Sequence, residues 1–126
     1  MKEIVYTPDA PAPIGPYSQA VKYGNVVYVS GQIAIDPATG ELDLANLNQE
    51  THRVMSNLIA VLKAAGADFS TIIKTSIFLS DMALFAEVNA IYASYFEGDF
   101  PARETVAVAG LPKGVNVEIS VIAGCK

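Results

Sequence analysis

Apolar positions along this chain change their period several times, and each change marks an element. Residues 8–16 carry Pro8, Pro11, Pro13 and Pro16, with Gly15 between the last two. Fixed φ angles and missing N–H donors exclude a helix there and predict extended or turn geometry. Two short runs rich in β-branched and aromatic residues follow, Ala20-Val21-Lys22-Tyr23 and Val26-Val27-Tyr28-Val29-Ser30-Gly31, on either side of Gly24-Asn25. They predict an antiparallel hairpin. Gln32-Ile33-Ala34-Ile35 has the composition to continue the second strand, with Gly31 as a bulge or a point of close backbone approach.

Helical spacing then takes over. Leu47, Thr51, Val54, Leu58, Val61 or Leu62, and Ala65 recur at that period, and Gly66 stands where a C′ glycine belongs, so a helix is expected over 47–65. Residues 72–79 are a strongly apolar strand. Asp81 reads as a helix cap, followed by Phe85, Val88, Tyr92 and Phe96 along one face, until Gly98 and Pro101 close the helix. Strands at 105–109 and 115–123 flank the turn Leu111-Pro112-Lys113-Gly114. The order β-β-(β)-α-β-α-β-β predicts an α+β fold of two layers, a sheet with two helices on one face.

Strand alternation raises a difficulty. In the last strand Val115, Val117, Ile119, Val121 and Ala123 share one face, while Asn116, Glu118, Ser120 and Ile122 share the other. In the central strand Ile73, Thr75, Ile77 and Leu79 alternate with Ile72, Lys74, Ser76 and Phe78, so both faces carry large apolar side chains. Two helices cover one side only. A second side bearing Phe78, Tyr28 and Ile122 is a sizeable patch for a monomer, and self-association under closed cyclic symmetry is the expected cover. Glu118, Ser120 and Ser30 then lie near a subunit boundary, where a half-buried carboxylate of raised pKa can act as a general acid or base.

A length of 126 residues suits one domain spanning 1–126, and 52% apolar against 17% charged residues leaves little polar material to cover a solitary domain. The formal charge is -5, and no run of Lys or Arg occurs. Nucleic-acid binding is therefore disfavoured, because it relies on several cations on one face. No apolar leader and no stretch near the roughly 18 apolar residues of a membrane span is visible, so a cytoplasmic protein is expected. Cys125 stands alone near a terminus expected to fray, and His52 is the single histidine, expected on a solvated or half-buried helix face. No disulfide, metal site or phosphate loop is indicated, and no cofactor.

Against this sparse background, Phe100-Pro101-Ala102-Arg103-Glu104-Thr105 sets one arginine at the start of a strand. A guanidinium offers a planar fork of donors that fits a carboxylate, so a small anionic substrate is the first reading. The competing reading is a structural ion pair, with Glu118 as the candidate partner. Asn89 falls beside the apolar stripe of the second helix, where asparagine is disfavoured unless it has a hydrogen-bonding task. Tyr17, after Gly15-Pro16, is either a packed ring or a pocket wall.

Several ordered blocks point further. Ala12-Pro13-Ile14-Gly15-Pro16-Tyr17-Ser18-Gln19, Val29-Ser30-Gly31-Gln32-Ile33, Phe85-Ala86-Glu87-Val88-Asn89, Pro101-Ala102-Arg103, Leu111-Pro112-Lys113 and Val117-Glu118-Ile119 resemble the reactive intermediate deaminase family, also called YjgF-like, from about residue 3 to residue 123. The resemblance implies a chorismate-mutase-like α+β fold with a mixed sheet, assembled as a homotrimer with clefts between subunits. It implies hydrolysis of 2-imino acids or their enamine tautomers, among them 2-iminobutanoate and 2-iminopropanoate, to 2-keto acids and ammonia without a cofactor. Carried over by residue, Arg103 would clamp the carboxylate, the backbone at Thr105 would meet the imine nitrogen, and Glu118 would hold and orient the attacking water and help shuttle its proton. Tyr17, Asn89 and the Ser30-Gly31 backbone would line the cleft. The chain departs from the pattern at Thr105, where the active branch commonly has cysteine. The alternatives are a non-catalytic protein of the same fold that binds or senses small carboxylates, and an RNA-directed inhibitor or ribonuclease, which the acidic charge disfavours.

Overall fold

A computed structural model describes residues 1–126. Its strands are β1 (Lys2–Val5), β2 (Ala20–Tyr23), β3 (Val26–Gln32), β4 (Ile72–Leu79), β5 (Ala102–Ala107) and β6 (Val117–Gly124), and its α-helices are α1 (Leu47–Ala64) and α2 (Phe85–Ala93). The strands form one six-stranded sheet in the order β1-β2-β3-β6-β4-β5. Every pairing is antiparallel except β4 with β5, which run parallel because α2 carries the chain between them. The mixed α+β architecture with two helices agrees with the sequence reading.

α1 starts where the side chain of Asn46 accepts the Gln49 N–H, and it ends at Ala65, followed by Gly66 at φ 79°. Val54, Met55, Leu58, Val61 and Leu62 face the sheet and are fully buried. They meet Val117, Ile119, Val121 and Ala123 of β6 and Ile77 and Leu79 of β4 in a cluster of 22 buried residues. The alternation read for the last strand is therefore the observed one.

Within that layer sits Glu50, fully buried and unflagged by its sequence context. One carboxylate oxygen accepts the Asn116 and Val117 N–H groups at 2.8 and 3.1 Å, and the other accepts the Asn116 side-chain amide at 2.8 Å. Three donors from the start of β6 satisfy a charge that would be costly if bare. The first turn of α1 is thereby tied to the strand that carries Glu118.

Several expectations need correction. β1 was not foreseen: only four residues long and exposed at three of them, it has little apolar pattern to read, and it forms by pairing with β2. Ile33 to Ile35 do not extend β3; the Asn57 amide of α1 binds the Ile33 and Ile35 carbonyls at 3.1 and 3.0 Å instead. A register shift between Ile72 and Lys74 turns Ile73 out to solvent and Ile72 into the core, reversing their expected faces. Asp81 caps a 3-10 turn, Met82–Leu84, before α2, which stops at Ala93 and leaves Phe96 beyond it. β5 begins earlier than 105, since Ala102 already pairs with Lys74. The C-terminus is not frayed: the Cys125 N–H binds the Asn25 carbonyl at 2.7 Å, the Lys126 N–H binds the Gly66 carbonyl at 2.8 Å, and the Lys126 ammonium pairs with Asp68.

Glu50→Gln keeps the shape but turns an amide NH2 toward donors that need acceptors. We predict a loss of about 2 kcal/mol in urea unfolding; an unchanged midpoint would contradict the role given to this carboxylate.

Candidate functional site

β5 is an edge strand, and Arg103 is its second residue. In the parallel register Arg103 lies opposite Thr75, which is fully buried on the helix-covered face. Its side chain therefore rises on the side of α2. There the Arg103 Nη1 donates to Asn89 Oδ1 at 2.7 Å. The guanidinium carbon stands 5.2 Å from the ring centroid of Tyr92 and 5.7 Å from that of Phe85. The Tyr92 hydroxyl donates to Thr75 Oγ1 at 2.9 Å, inside the core.

No carboxylate neutralises this guanidinium. The ion pairs of the chain join Arg53 to Asp36 and Asp43, Lys74 to Glu104, and Lys126 to Asp68. Beside it is a hollow of about 430 Å³ lined by Asn89, Tyr92, Ala93, Phe100, Pro101 and Arg103. Thr105, two residues on and on the same side of β5, faces Ile77 across the pair, and its buried Oγ1 has no hydrogen-bond partner.

The remaining expected residues gather elsewhere. Glu118 of β6 lies opposite Phe78 of β4, on the face that no helix covers. Its carboxylate rests against Gly31, so closely that a Cβ on Gly31 would stand 2.3 Å from Oε2. That contact gives the glycine its physical reason. Gly31 sits in the register shift between Val29 and Gln32, where the strand bulges toward β6. The Ser30 hydroxyl donates to the Ser18 carbonyl at 2.6 Å and the Ser30 N–H to the Gln19 carbonyl at 2.9 Å, which fastens the proline-rich loop and the exposed Tyr17 to the same end of the sheet. Glu118 has no ion pair, and burial pushes its carboxyl above the ordinary value.

The expected residues thus form two groups. Thr75 and Phe78 are three residues apart on β4, so the rows holding Arg103 and Glu118 are offset by an odd number and their side chains leave opposite faces of the sheet. The strand positions also differ by about 10 Å along the strands and about 10 Å across them. An Arg103–Glu118 ion pair within one chain, the competing reading of the sequence, is thereby overturned.

Other candidates fall outside both groups. His52 is half-buried, with Nδ1 2.6 Å from the Tyr95 hydroxyl. A larger hollow of about 840 Å³, between Ile59 and Lys63 of α1 and residues 95–99, contains none of the expected residues. No cluster of His, Cys, Asp or Glu is arranged to hold a metal, and no helix is long and apolar enough to cross a membrane. Missed in the sequence were Phe85 and Tyr92 as neighbours of Arg103. Their spacing of four and three residues from Asn89 puts all three on one face of α2, a signal that an apolar-stripe reading assigns wholly to the core.

Fold and geometry together define a two-layer α+β protein with a free guanidinium above one face of its sheet and a free carboxylate on the other. The comparisons with known proteins then fix the family. The family model described as Endoribonuclease L-PSP matches residues 7–125. The mouse 2-iminobutanoate/2-iminopropanoate deaminase is 46% identical over 123 residues, covering 98% of this chain and 91% of the mouse protein. A Rid-family protein of unknown function from Yersinia pestis superposes with a TM-score of 0.95 at 48% identity, covering 98% of this chain and 99% of that one. The structure of E. coli TdcF with bound serine gives 0.93 at 38% identity, with 98% and 99% covered. The chain belongs to the Rid, or YjgF-like, family.

A carboxyl whose folded pKa is raised favours the folded state only while it stays protonated, and that benefit is lost as pH rises through the folded value. We predict that Glu118→Gln melts at a higher temperature than the parent at pH 8, with the gap closing by pH 4. A gap that widens on acidification would show the carboxylate to be stabilised in place.

Proposed function

We propose that this chain hydrolyses small 2-imino acids and their enamine tautomers, such as 2-iminobutanoate and 2-iminopropanoate, to 2-keto acids and ammonia. The observation that carries the reading is the pair of free charges: a guanidinium held ready without a counter-ion, and a half-buried carboxyl of raised pKa without a partner. The first suits a carboxylate, bidentate and charge-assisted. The second suits a group that takes a proton from water and returns it to departing nitrogen. Mammalian relatives named as deaminases of these imines, and a related protein that binds serine, support the substrate class.

Because the two groups leave opposite faces of one sheet, the site needs two copies of the chain. The bare face of one subunit brings Glu118, Gly31 and Tyr17 to the β5 edge of its neighbour, which brings Arg103, Asn89 and Thr105. Tyr28, Ile73 and Val106, exposed by 50%, 54% and 41%, give that face reason to be covered. The assembly is a closed homotrimer, as the resemblance implies.

In the assembled cleft Arg103 fixes the carboxylate, and the Thr105 backbone meets the imine nitrogen. Water held by Glu118 adds its oxygen to C2 of the protonated imine while one water proton passes to the Glu118 carboxylate, leaving a neutral carbinolamine. The carbinolamine then collapses: Glu118 returns its proton to nitrogen, the C–N bond breaks to release ammonia, and the C2 hydroxyl gives its proton back to the Glu118 carboxylate as it becomes the keto oxygen. An imine is already electrophilic, so orientation supplies much of the rate advantage. The thiol common at position 105 takes no proton in this sequence of steps, and threonine there is compatible with turnover. A ribonuclease reading has the family description behind it, but a net charge of -5 without a cationic face opposes it.

With 2-iminobutanoate generated from threonine by a dehydratase, the protein is expected to accelerate 2-ketobutanoate release. We predict that Arg103→Ala lowers kcat/KM about 100-fold, the loss of a bidentate charge-assisted contact, with solution mass unchanged. Undiminished turnover in Arg103→Ala would remove the carboxylate clamp. Carboxylate binding without any acceleration by the parent would favour the sensing role.

A further inference from the structure

We infer that Tyr92, with Phe85, is a positioning residue for Arg103, and that α2 serves as an arginine holder whose grip sets the affinity for the substrate carboxylate. This inference rests on the carboxylate-binding reading of Arg103. An arginine on an exposed edge strand is otherwise a long flexible chain, and ordering it on binding would weaken the complex. Here it is ordered beforehand. Two ring faces stand 5.2 and 5.7 Å from the guanidinium carbon, within the range of cation–π attraction.

Tyr92 touches the arginine by two routes. Its ring packs under the guanidinium, and its hydroxyl donates at 2.9 Å to Thr75, the residue paired with Arg103 across the strands. With Tyr92 3% exposed and Thr75 fully buried, the ring has no room to swing away. The brace closes on itself: backbone register to Thr75, Thr75 to the phenol, the phenol ring to the guanidinium, and the guanidinium back to β5.

The holder is neutral throughout. Aromatic faces and the Asn89 amide oxygen satisfy and aim the cation without cancelling its charge, whereas a carboxylate at position 89 would compete with the ligand. Asn89 occupies one of the five N–H donors of the guanidinium, and the others stay available for the ligand. This explains why a nine-residue helix of such apolar character carries asparagine between Phe85 and Tyr92.

The chain has only two arginines, Arg53 and Arg103, so their Nε–H resonances can be followed individually. Arg53, between Asp36 and Asp43, serves as the internal reference. In the ligand-free parent the Arg103 Nε–H should carry a ring-current shift that Tyr92→Phe keeps and Tyr92→Leu cuts to the part left by Phe85. The Kd for 2-ketobutanoate should rise about tenfold in Tyr92→Leu and threefold or less in Tyr92→Phe. Turnover of 2-iminobutanoate should lose in KM, with kcat held within about twofold. Phe85→Leu, at a less buried position, should show the same pattern more weakly and stands in if Tyr92→Leu does not fold. Equal losses in Tyr92→Leu and Tyr92→Phe, or parent-like 2-ketobutanoate binding in Tyr92→Leu and Phe85→Leu, would overturn the inference. Absence of 2-ketobutanoate binding by the parent would overturn it together with the carboxylate clamp. A parent that binds but does not turn over sinks hydrolysis alone, and the shift and the Kd still decide the holder.

Discussion

A β-strand sends successive side chains to opposite faces, and a sheet cannot relax that rule without a bulge. Between the rows of Arg103 and Glu118 the offset is odd and β4 and β6 pair without interruption from Lys74 to Leu79, so one subunit cannot present both groups to one small molecule. Everything proposed about chemistry depends on that constraint. It turns a question about catalysis into a question about assembly, and gives the uncovered apolar face of the sheet a task beyond burial.

Each half is prepared by its own local device. On the helix side, a parallel crossover brings α2 beside the edge strand, so that Asn89, Phe85 and Tyr92 hold the arginine. On the bare side, a bulge at Ser30-Gly31 and the missing Cβ of Gly31 make room for the Glu118 carboxylate, which lies desolvated against backbone. Glu50 joins the two layers by capping the start of β6 just ahead of Glu118. Stability is conceded at Glu118, where burial disfavours the ionised form, and such local conflicts are where functional groups are commonly found.

Much of this was legible beforehand, and the exceptions have physical causes. α1 follows from a long unbroken period, β4 from a strongly apolar run, and the apolar face of β6 from strict alternation. Ile73 was misplaced because a bulge leaves no mark in a run of apolar residues, and β1 was missed because its pairing with β2 decides it rather than its own four residues. Arg103 stood out because cations are scarce, and Asn89 because its residue type conflicts with its helix. Their direct hydrogen bond, and the opposite faces taken by Arg103 and Glu118, depend on strand pairing that no single segment encodes. Family resemblance supplied the roles of Tyr17, Ser30 and Gly31, which composition and spacing alone left open.

The most direct test of a site shared between subunits mixes two disabled proteins. Arg103→Ala and Glu118→Gln, each strongly impaired in 2-iminobutanoate hydrolysis on its own, are unfolded together in equal amounts and refolded. In the closed trimer proposed above, random assembly brings an intact Arg103 from one subunit to an intact Glu118 of the next in about one interface out of four, so activity should return to about a quarter of the parent level. Refolded trimers of the expected mass that stay inactive would contradict a site built from two copies.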